Sequence, residues 1–195
     1  MGCTEMSKAM FGCIWAISAV AAATCASPSD FNKETPEDRL GELEAQLPSA
    51  EGPERVYVLG KAARAAISAG ETLKAERYAT EALEGAADFP NDWNYGNAIH
   101  HANLVLGHVA LARGDVKGAV ARLIEAGQTP GSPQLDTFGP NMALAKELLE
   151  LGETDAVLEY LEETRRFWEH PEKIDRWQRA IREGGIPDFG ANLRY

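Results

Sequence analysis

The chain has 195 residues, which is enough for one domain with a hydrophobic core of moderate size. Hydrophobic residues make up 45% of it and charged residues 25%, a composition typical of globular rather than disordered or fibrous proteins. The 30 acidic residues against 19 Lys and Arg give a net charge of -11, which repels nucleic-acid phosphates and gives no long-range attraction to anionic lipid. Nucleic acid is therefore not an expected partner.

Residues 1–26 have the pattern of a secretory signal peptide. Lys8 precedes an apolar run over 9–23 that is too short for a membrane span, since a spanning helix needs about 20 residues. Small residues follow it and favour cleavage after Ala26, and Ala21 and Ala23 offer a second solution. We therefore expect an exported protein, periplasmic or secreted, with no membrane span in its mature part. A retained N-terminal anchor, a buried N-terminal helix and a lipoprotein attached through Cys25 are the alternatives.

The cysteines are confined to this segment, at positions 3, 13 and 25. Cleavage after Ala26 would leave a mature chain without any thiol, and therefore without a disulfide, a cysteine nucleophile or a thiolate metal site. Packing and hydrogen bonds would then be the means of stabilising the fold.

The next segment, residues 27–52, is predicted to contain a linker and one short helix. Ser, Pro, Asp and Asn dominate its first residues, as in many linkers. Thr35 then offers an N-cap, Pro36 suits the first helical position, and acidic residues occupy the first turn. The apolar stripe of this helix extends to about Leu47.

Residues 53–195 are predicted to form a helical repeat domain, because the sequence is similar to itself there. Three pairs of amphipathic helices align on glycines that separate the two helices of each pair: Gly70, Gly114 and Gly152. A glycine at this place supplies the left-handed backbone that ends a helix. The first helix of each pair is expected from residues 56, 100 and 138 up to these glycines, and the second over 71–83, 116–126 and 154–164.

The pattern resembles the tetratricopeptide repeat (TPR) family over about residues 53–170. The second pair matches best, with Leu106 before the small Gly107 in its first helix and with Ala119 and Leu123 in its second. The third pair departs most, at the contacts of its second helix. The resemblance implies an all-α fold, namely a short right-handed superhelical stack of antiparallel helical hairpins, a TPR-like α-solenoid.

The segments around these hairpins are also predicted. The turn glycines are farther apart than the repeat requires, so irregular connections are expected at 85–99 and 127–137. Residues 171–183 are expected to form a C-terminal capping helix that ends at Gly184. The tail, residues 186–195, is too apolar to remain in solvent and is expected to pack against the stack.

By this resemblance, the first helices of the hairpins line a concave groove that binds a protein or peptide segment. Counting helix faces from the turn glycines places these residues in it: Tyr57, Lys61, Arg64, Ile67, His101, Leu104, His108, Leu111, Met142, Lys146 and Leu149. The same count predicts that His101, Leu104, His108 and Leu111 lie on its exposed inner side. The mixed apolar and basic lining favours a segment with some negative charge. The carboxylate-binding residues of chaperone-binding members are not reproduced, since Lys61, Val105 and Ala143 stand at the matching positions. The expected function is a non-catalytic binding scaffold.

A second candidate site lies in the connections between hairpins. The loop cluster comprises Trp93, Tyr95, Asn97, His100, Asn103 and Asn141. It suggests a small-molecule-binding or hydrolytic protein. For Asn103 and Asn141 the alternative role is structural. A buried amide without a hydrogen bond costs about 1–3 kcal/mol, so each of them is expected to bond a carbonyl or amide of a loop. A third interpretation is a structural subunit of an envelope complex that makes its contacts through the outer helix faces.

The sequence predicts neither a metal site nor a catalytic site, and no cofactor. His100 and His101 are adjacent on a helix and point about 100° apart, and His108 lies about 10.5 Å beyond His101, so the three cannot converge on one ion. Ser132 lacks the strand-turn-helix context of a nucleophile elbow. No phosphate-binding or dinucleotide-binding motif is present.

Overall fold

The computed structural model of this protein describes residues 34–194, and this part of the chain is all-helical. The signal peptide predicted for residues 1–26, its cysteines and most of the predicted linker lie outside the described residues. None of the helices between residues 34 and 194 combines the length and the apolarity that crossing a bilayer requires.

Nine α-helices follow one another in the described residues: α1 Pro36–Gln46, α2 Gly52–Ser68, α3 Thr72–Ala86, α4 Tyr95–Ala112, α5 Val116–Gly127, α6 Pro133–Phe138, α7 Ala143–Glu150, α8 Thr154–Thr164 and α9 Pro171–Arg182. A short 3-10 helix spans Gly190–Leu193. Helix α2 packs on α3, α4 on α5, and α7 on α8. These pairs contact each other through α2 with α4, α3 with α4, α4 with α7, and α5 with α8. This order of contacts is compatible with hairpins laid side by side.

Helix α1 begins where the sequence predicts. The Thr35 hydroxyl accepts a hydrogen bond from the Asp38 backbone N–H at 3.1 Å, and the Asp38 carboxylate accepts one from the Thr35 N–H at 3.2 Å. This reciprocal capping box satisfies two backbone donors that a helix start otherwise leaves without a partner. Leu40 and Leu43 then pack into the core formed with α2 and α3.

The turn glycines have the predicted left-handed backbone, with φ of 75° at Gly70 and Gly114 and 87° at Gly152. A Cβ added at any of the three would meet no heavy atom within 4 Å. The backbone conformation, rather than a lack of space, therefore requires glycine there. Gly107 is different, because its Cβ would lie 2.3 Å from Leu144 Cδ2. The predicted close approach of neighbouring hairpins at this small residue is confirmed between α4 and α7.

Three helix boundaries correct the prediction. Helix α4 begins at Tyr95 rather than at residue 100, and α3 continues to Ala86, so both ends of the connection expected at 85–99 are helical. The added turn of α4 is buried against the connection that follows α5. The first helix of the third pair does not start at residue 138, because Gly139 has a φ of 86° and Pro140 has no N–H to donate. It is replaced by α6, a four-residue break and the short α7.

The C-terminal tail packs over this break, as the sequence predicts. The Met142 N–H donates to the Asn192 carbonyl at 2.8 Å. The Asn192 Nδ2 donates to the carbonyls of Phe138 at 3.0 Å and Pro140 at 2.9 Å. Phe189 is buried edge-on against Trp177 of α9, with 5.1 Å between ring centroids. The tail therefore supplies the backbone partners that a continuous helix would have supplied.

Candidate functional site

A groove runs along one face of α2 and α4. One part of it is a cleft of about 550 Å³ between the start of α1, the length of α2 and the start of α4, lined among others by Glu34, Arg39, Tyr57, Lys61, Arg64, Asn94, Asn97, His101 and Gln134. Two further depressions, of about 350 Å³ and 530 Å³, follow it toward the ends of α2 and α4.

The three depressions adjoin one another along the groove, because neighbouring ones share lining residues. Arg64 and His101 line both the cleft and the second depression, which also includes Arg194 of the tail. His108 joins the second depression to the third, which extends to Leu111. A ligand can therefore lie along the groove rather than enter a closed pocket.

Most of the residues predicted for the groove line it, but their exposure differs from the expectation. Leu104 lines the second depression with a side chain that is only 5% exposed and belongs mainly to the core. His101 is also buried. Both lie under the neighbouring helices rather than on an open face, so the expectation that they are freely exposed is wrong.

Three residues predicted for the groove do not line its depressions. Met142 is fully buried in the core. It precedes α7 in the break between helices, so counting the face of a continuous helix misplaced it. Lys146 does not line the three depressions and donates a hydrogen bond to Glu150 on α7 at 2.8 Å. Leu149 is partly buried against the core.

The groove concentrates positive charge on an acidic chain. Four cationic side chains line it, Arg39, Lys61, Arg64 and Arg194, against two carboxylates, Glu34 and Glu147. The carboxylates are both engaged. Arg39 lies 3.4 Å from Glu34, and a hydrogen bond with His108 at 3.4 Å lowers the pKa of Glu147.

Lys61 keeps its charge available to a ligand. Its Nζ lies 4.3 Å from the ring centroid of Tyr57, and it makes no ion pair among residues 34–194. Trp93 extends this aromatic surface, since it is 62% exposed and its ring centroid lies 6.4 Å from that of Tyr57. The open end of the cleft thus presents two aromatic rings beside an ammonium group.

The middle of the groove presents a neutral imidazole next to a guanidinium. Burial lowers the pKa of His101 well below its usual value, and the nearby Arg64 cation and His100 lower it further. His101 is therefore neutral at neutral pH, while Arg64 remains charged.

Amide groups provide further hydrogen-bond donors to the cleft. Asn94 is only 8% exposed, and its Oδ1 accepts a hydrogen bond from Asn97 Nδ2 at 2.9 Å. Its own Nδ2 has no partner among the described residues. Gln134 likewise uses its Oε1 to accept from Asn97, at 3.1 Å. An acceptor atom of a ligand can therefore bind the donors of both amides.

Asn97, predicted in the loop cluster, has its amide fully engaged within the protein. Its Nδ2 donates to Asn94 and Gln134, and its Oδ1 accepts from the Ser132 hydroxyl at 2.8 Å. The Thr129 hydroxyl also donates to the Gly96 carbonyl, at 2.7 Å. These bonds hold the first turn of α4 against the connection before α6.

His100 links three parts of the fold and is fully buried. Its Nδ1 donates to the Ala126 carbonyl at 3.0 Å, and its Nε2 accepts from the Asn141 N–H at 3.2 Å. These partners require the neutral tautomer with the proton on Nδ1. Burial lowers the pKa of His100 to about 4, so the ring is neutral at neutral pH.

The other members of the loop cluster are not brought together around one cavity. The Asn141 Oδ1 accepts from the first N–H of α7 at 2.8 Å, a structural role that the sequence predicts. Asn103 donates to the Ile99 carbonyl of its own helix rather than to a loop, and its Oδ1 accepts from Arg122. Tyr95 packs separately, against Val56.

Within residues 34–194, no group of three or more His, Cys, Asp and Glu side chains is placed to hold a metal ion. Sequence reasoning missed several groove residues, namely Glu34, Arg39, Asn94, Gln134, Leu193 and Arg194. They come from α1, the connections and the tail, whereas face counting considers only the first helices of the hairpins. The signal that could have indicated some of them was the Asn and Gln residues of the segments predicted as connections, such as Asn94 and Gln134.

Comparisons with protein-family models, with curated proteins and with solved structures found no match to this chain. The TPR resemblance therefore depends on the sequence pattern described above.

Proposed function

We propose that this chain is a non-catalytic binding scaffold, a TPR-like stack whose groove holds an extended segment of another protein. The observation that carries the proposal is the row of adjoining depressions that makes a groove along α2 and α4. Helix α2 has 17 residues and is therefore about 26 Å long. An extended segment of about eight residues spans the same length, at roughly 3.3 Å per residue.

The stacked arrangement itself is part of the proposal. It is supported by the three left-handed turn glycines, by the close contact at Gly107 and by the order of helix contacts. A stack of this kind leaves the first helices of its hairpins side by side, and their shared face is the natural place for an extended ligand.

A peptide array tests the binding function. The full chain is applied to random peptides of about eight residues, and the same array is repeated with Tyr57→Ala. We expect a subset of peptides to bind and to lose binding in this variant, because Tyr57 lines the cleft. The control is Leu73→Ala, which removes an exposed side chain of α3 outside the groove and should leave the pattern unchanged. A Tyr57→Ala pattern identical to that of the parent would contradict the proposal.

We also propose that the protein is exported by the signal peptide predicted over residues 1–26. N-terminal sequencing of the protein recovered from its own cells tests this. A mature chain that begins at Ser27 supports the proposal, whereas an intact Met1 in the cytoplasmic fraction contradicts it.

A further inference from the structure

We infer that the groove selects acidic peptide segments, with a carboxylate bound between Lys61, Arg64 and the amide of Asn94. The inference rests on the proposed binding function and specifies its ligand. It concerns Asp or Glu side chains within an extended segment rather than a free C-terminus.

The first argument is the contrast between the groove and the rest of the chain. The whole chain carries 30 acidic and 19 basic residues, yet the groove is lined by twice as many cationic residues as carboxylates. Its two carboxylates are engaged with Arg39 and His108, whereas Lys61 forms no ion pair among the described residues. The cationic lining of the groove attracts an anionic segment, although the net charge of the whole chain is negative.

The second argument is the excess of hydrogen-bond donors in the cleft. Lys61 acts only as a donor. The oxygens of Asn94 and Gln134 are occupied by Asn97, so these amides also offer donors. A carboxylate has only acceptors when it is ionised, and it therefore fits a site of this kind better than a lysine or a neutral amide does.

The third argument is the aromatic surface beside these donors. Tyr57 and the exposed Trp93 offer a place for an apolar side chain next to the bound carboxylate. Burying such a side chain there adds affinity that charge alone does not provide, because exposed ion pairs contribute little. The expected ligand therefore alternates acidic and apolar residues.

Fluorescence polarisation with labelled synthetic peptides tests the inference on the full chain. The probe is a peptide of about eight residues that alternates Leu and Glu, and the matched probes replace every Glu by Gln or by Lys. We expect the Leu/Glu peptide to bind at least about tenfold more tightly than the Leu/Gln peptide, which corresponds to about 1.4 kcal/mol. The Leu/Lys peptide should be the weakest. The difference should shrink as salt is added, because salt screens exposed charges.

Charge reversal at one lysine identifies the site. Lys61→Glu should weaken the Leu/Glu peptide at least about tenfold and strengthen the Leu/Lys peptide. Lys117→Glu makes the same change on the exposed face of α5, outside the groove, and should change affinity by less than about twofold. Lys61→Gln replaces Lys61→Glu if circular dichroism shows that the reversed variant is not helical.

The outcomes separate this inference from the proposed function. Equal binding of the Leu/Glu and Leu/Gln peptides, with equal effects of the two charge reversals, would overturn the acidic selectivity. If Tyr57→Ala still abolished binding in that case, the groove would remain a peptide site of another specificity. Failure of the random-peptide array to detect any peptide that depends on Tyr57 would overturn both.

Discussion

The fully buried His100 of α4 allows a test of how this helix is held to the end of α5 and to the break before α7. Replacing it by Leu keeps an apolar side chain of similar size but removes both ring nitrogens. The Ala126 carbonyl and the Asn141 N–H then lose their partners in the core. A buried polar group left without a hydrogen bond costs about 1–3 kcal/mol. We therefore expect His100→Leu to lower the free energy of unfolding at pH 7 by about 2–6 kcal/mol.

Urea unfolding followed by circular dichroism measures this loss. The matched control is His170→Leu, at a half-exposed residue that forms one hydrogen bond, to Glu172 at 3.0 Å. The control should lose less than about 1 kcal/mol. A loss below about 1 kcal/mol for His100→Leu as well would show that the two hydrogen bonds do not stabilise the fold and would refute the reasoning.

The pH dependence gives an independent check with a definite sign. The folded-state pKa of His100 is about 4, below the ordinary value of 6.5. Its contribution to stability is therefore complete above pH 6.5 and is lost as pH falls from 6.5 to 4, since only the unfolded chain binds a proton there. The stability difference between the parent and His100→Leu should be about 2 kcal/mol smaller at pH 5 than at pH 7. A difference that stays constant over this range would contradict the burial of a neutral ring.

Substitutions at three further positions test the fold around the groove. Gly114→Val should lower stability by more than about 1 kcal/mol because of the φ of 75°, and Gly114→Asn by less, since Asn tolerates the left-handed backbone better; thermal unfolding of both compares them, and equal melting temperatures would contradict this reason. Asn192→Ala should cost about 1–3 kcal/mol, because the carbonyls of Phe138 and Pro140 lose their donor; an unchanged urea midpoint would show that the tail contributes nothing there. Leu104→Glu should destabilise the protein by more than about 2 kcal/mol, since it places a carboxylate in the core, and a stability equal to that of the parent would show that this position is open to solvent.

Much of the helical framework was predictable because its signals are local. The N-cap at Thr35 and the turn glycines each depend on a few neighbouring residues, and the structure places both as expected. The small Gly107 likewise indicated a close contact of helices. Such features depend on backbone geometry that a short stretch of sequence determines.

The candidate site was less predictable, because it is assembled from distant segments. The face count for Met142 assumed a continuous helix, and a break at Gly139 and Pro140 placed that side chain in the core. The count also treated Leu104 as open to solvent, although neighbouring elements cover it. Nothing local in the sequence indicates that Arg194 reaches the groove, since this depends on where the tail packs. Pairings between distant residues are set by tertiary packing and not by periodicity.

The docking of the tail has a consequence for how the chain is made. A ribosome releases the chain from its N-terminus, so the first two hairpins can fold while the third is incomplete. The Asn192 side chain reaches carbonyls that lie 52 and 54 residues earlier. Until Asn192 has been synthesised, the break before α7 keeps a backbone N–H and two carbonyls without their partners. During this interval, the C-terminal part of the nascent protein is the segment most accessible to chaperones and proteases.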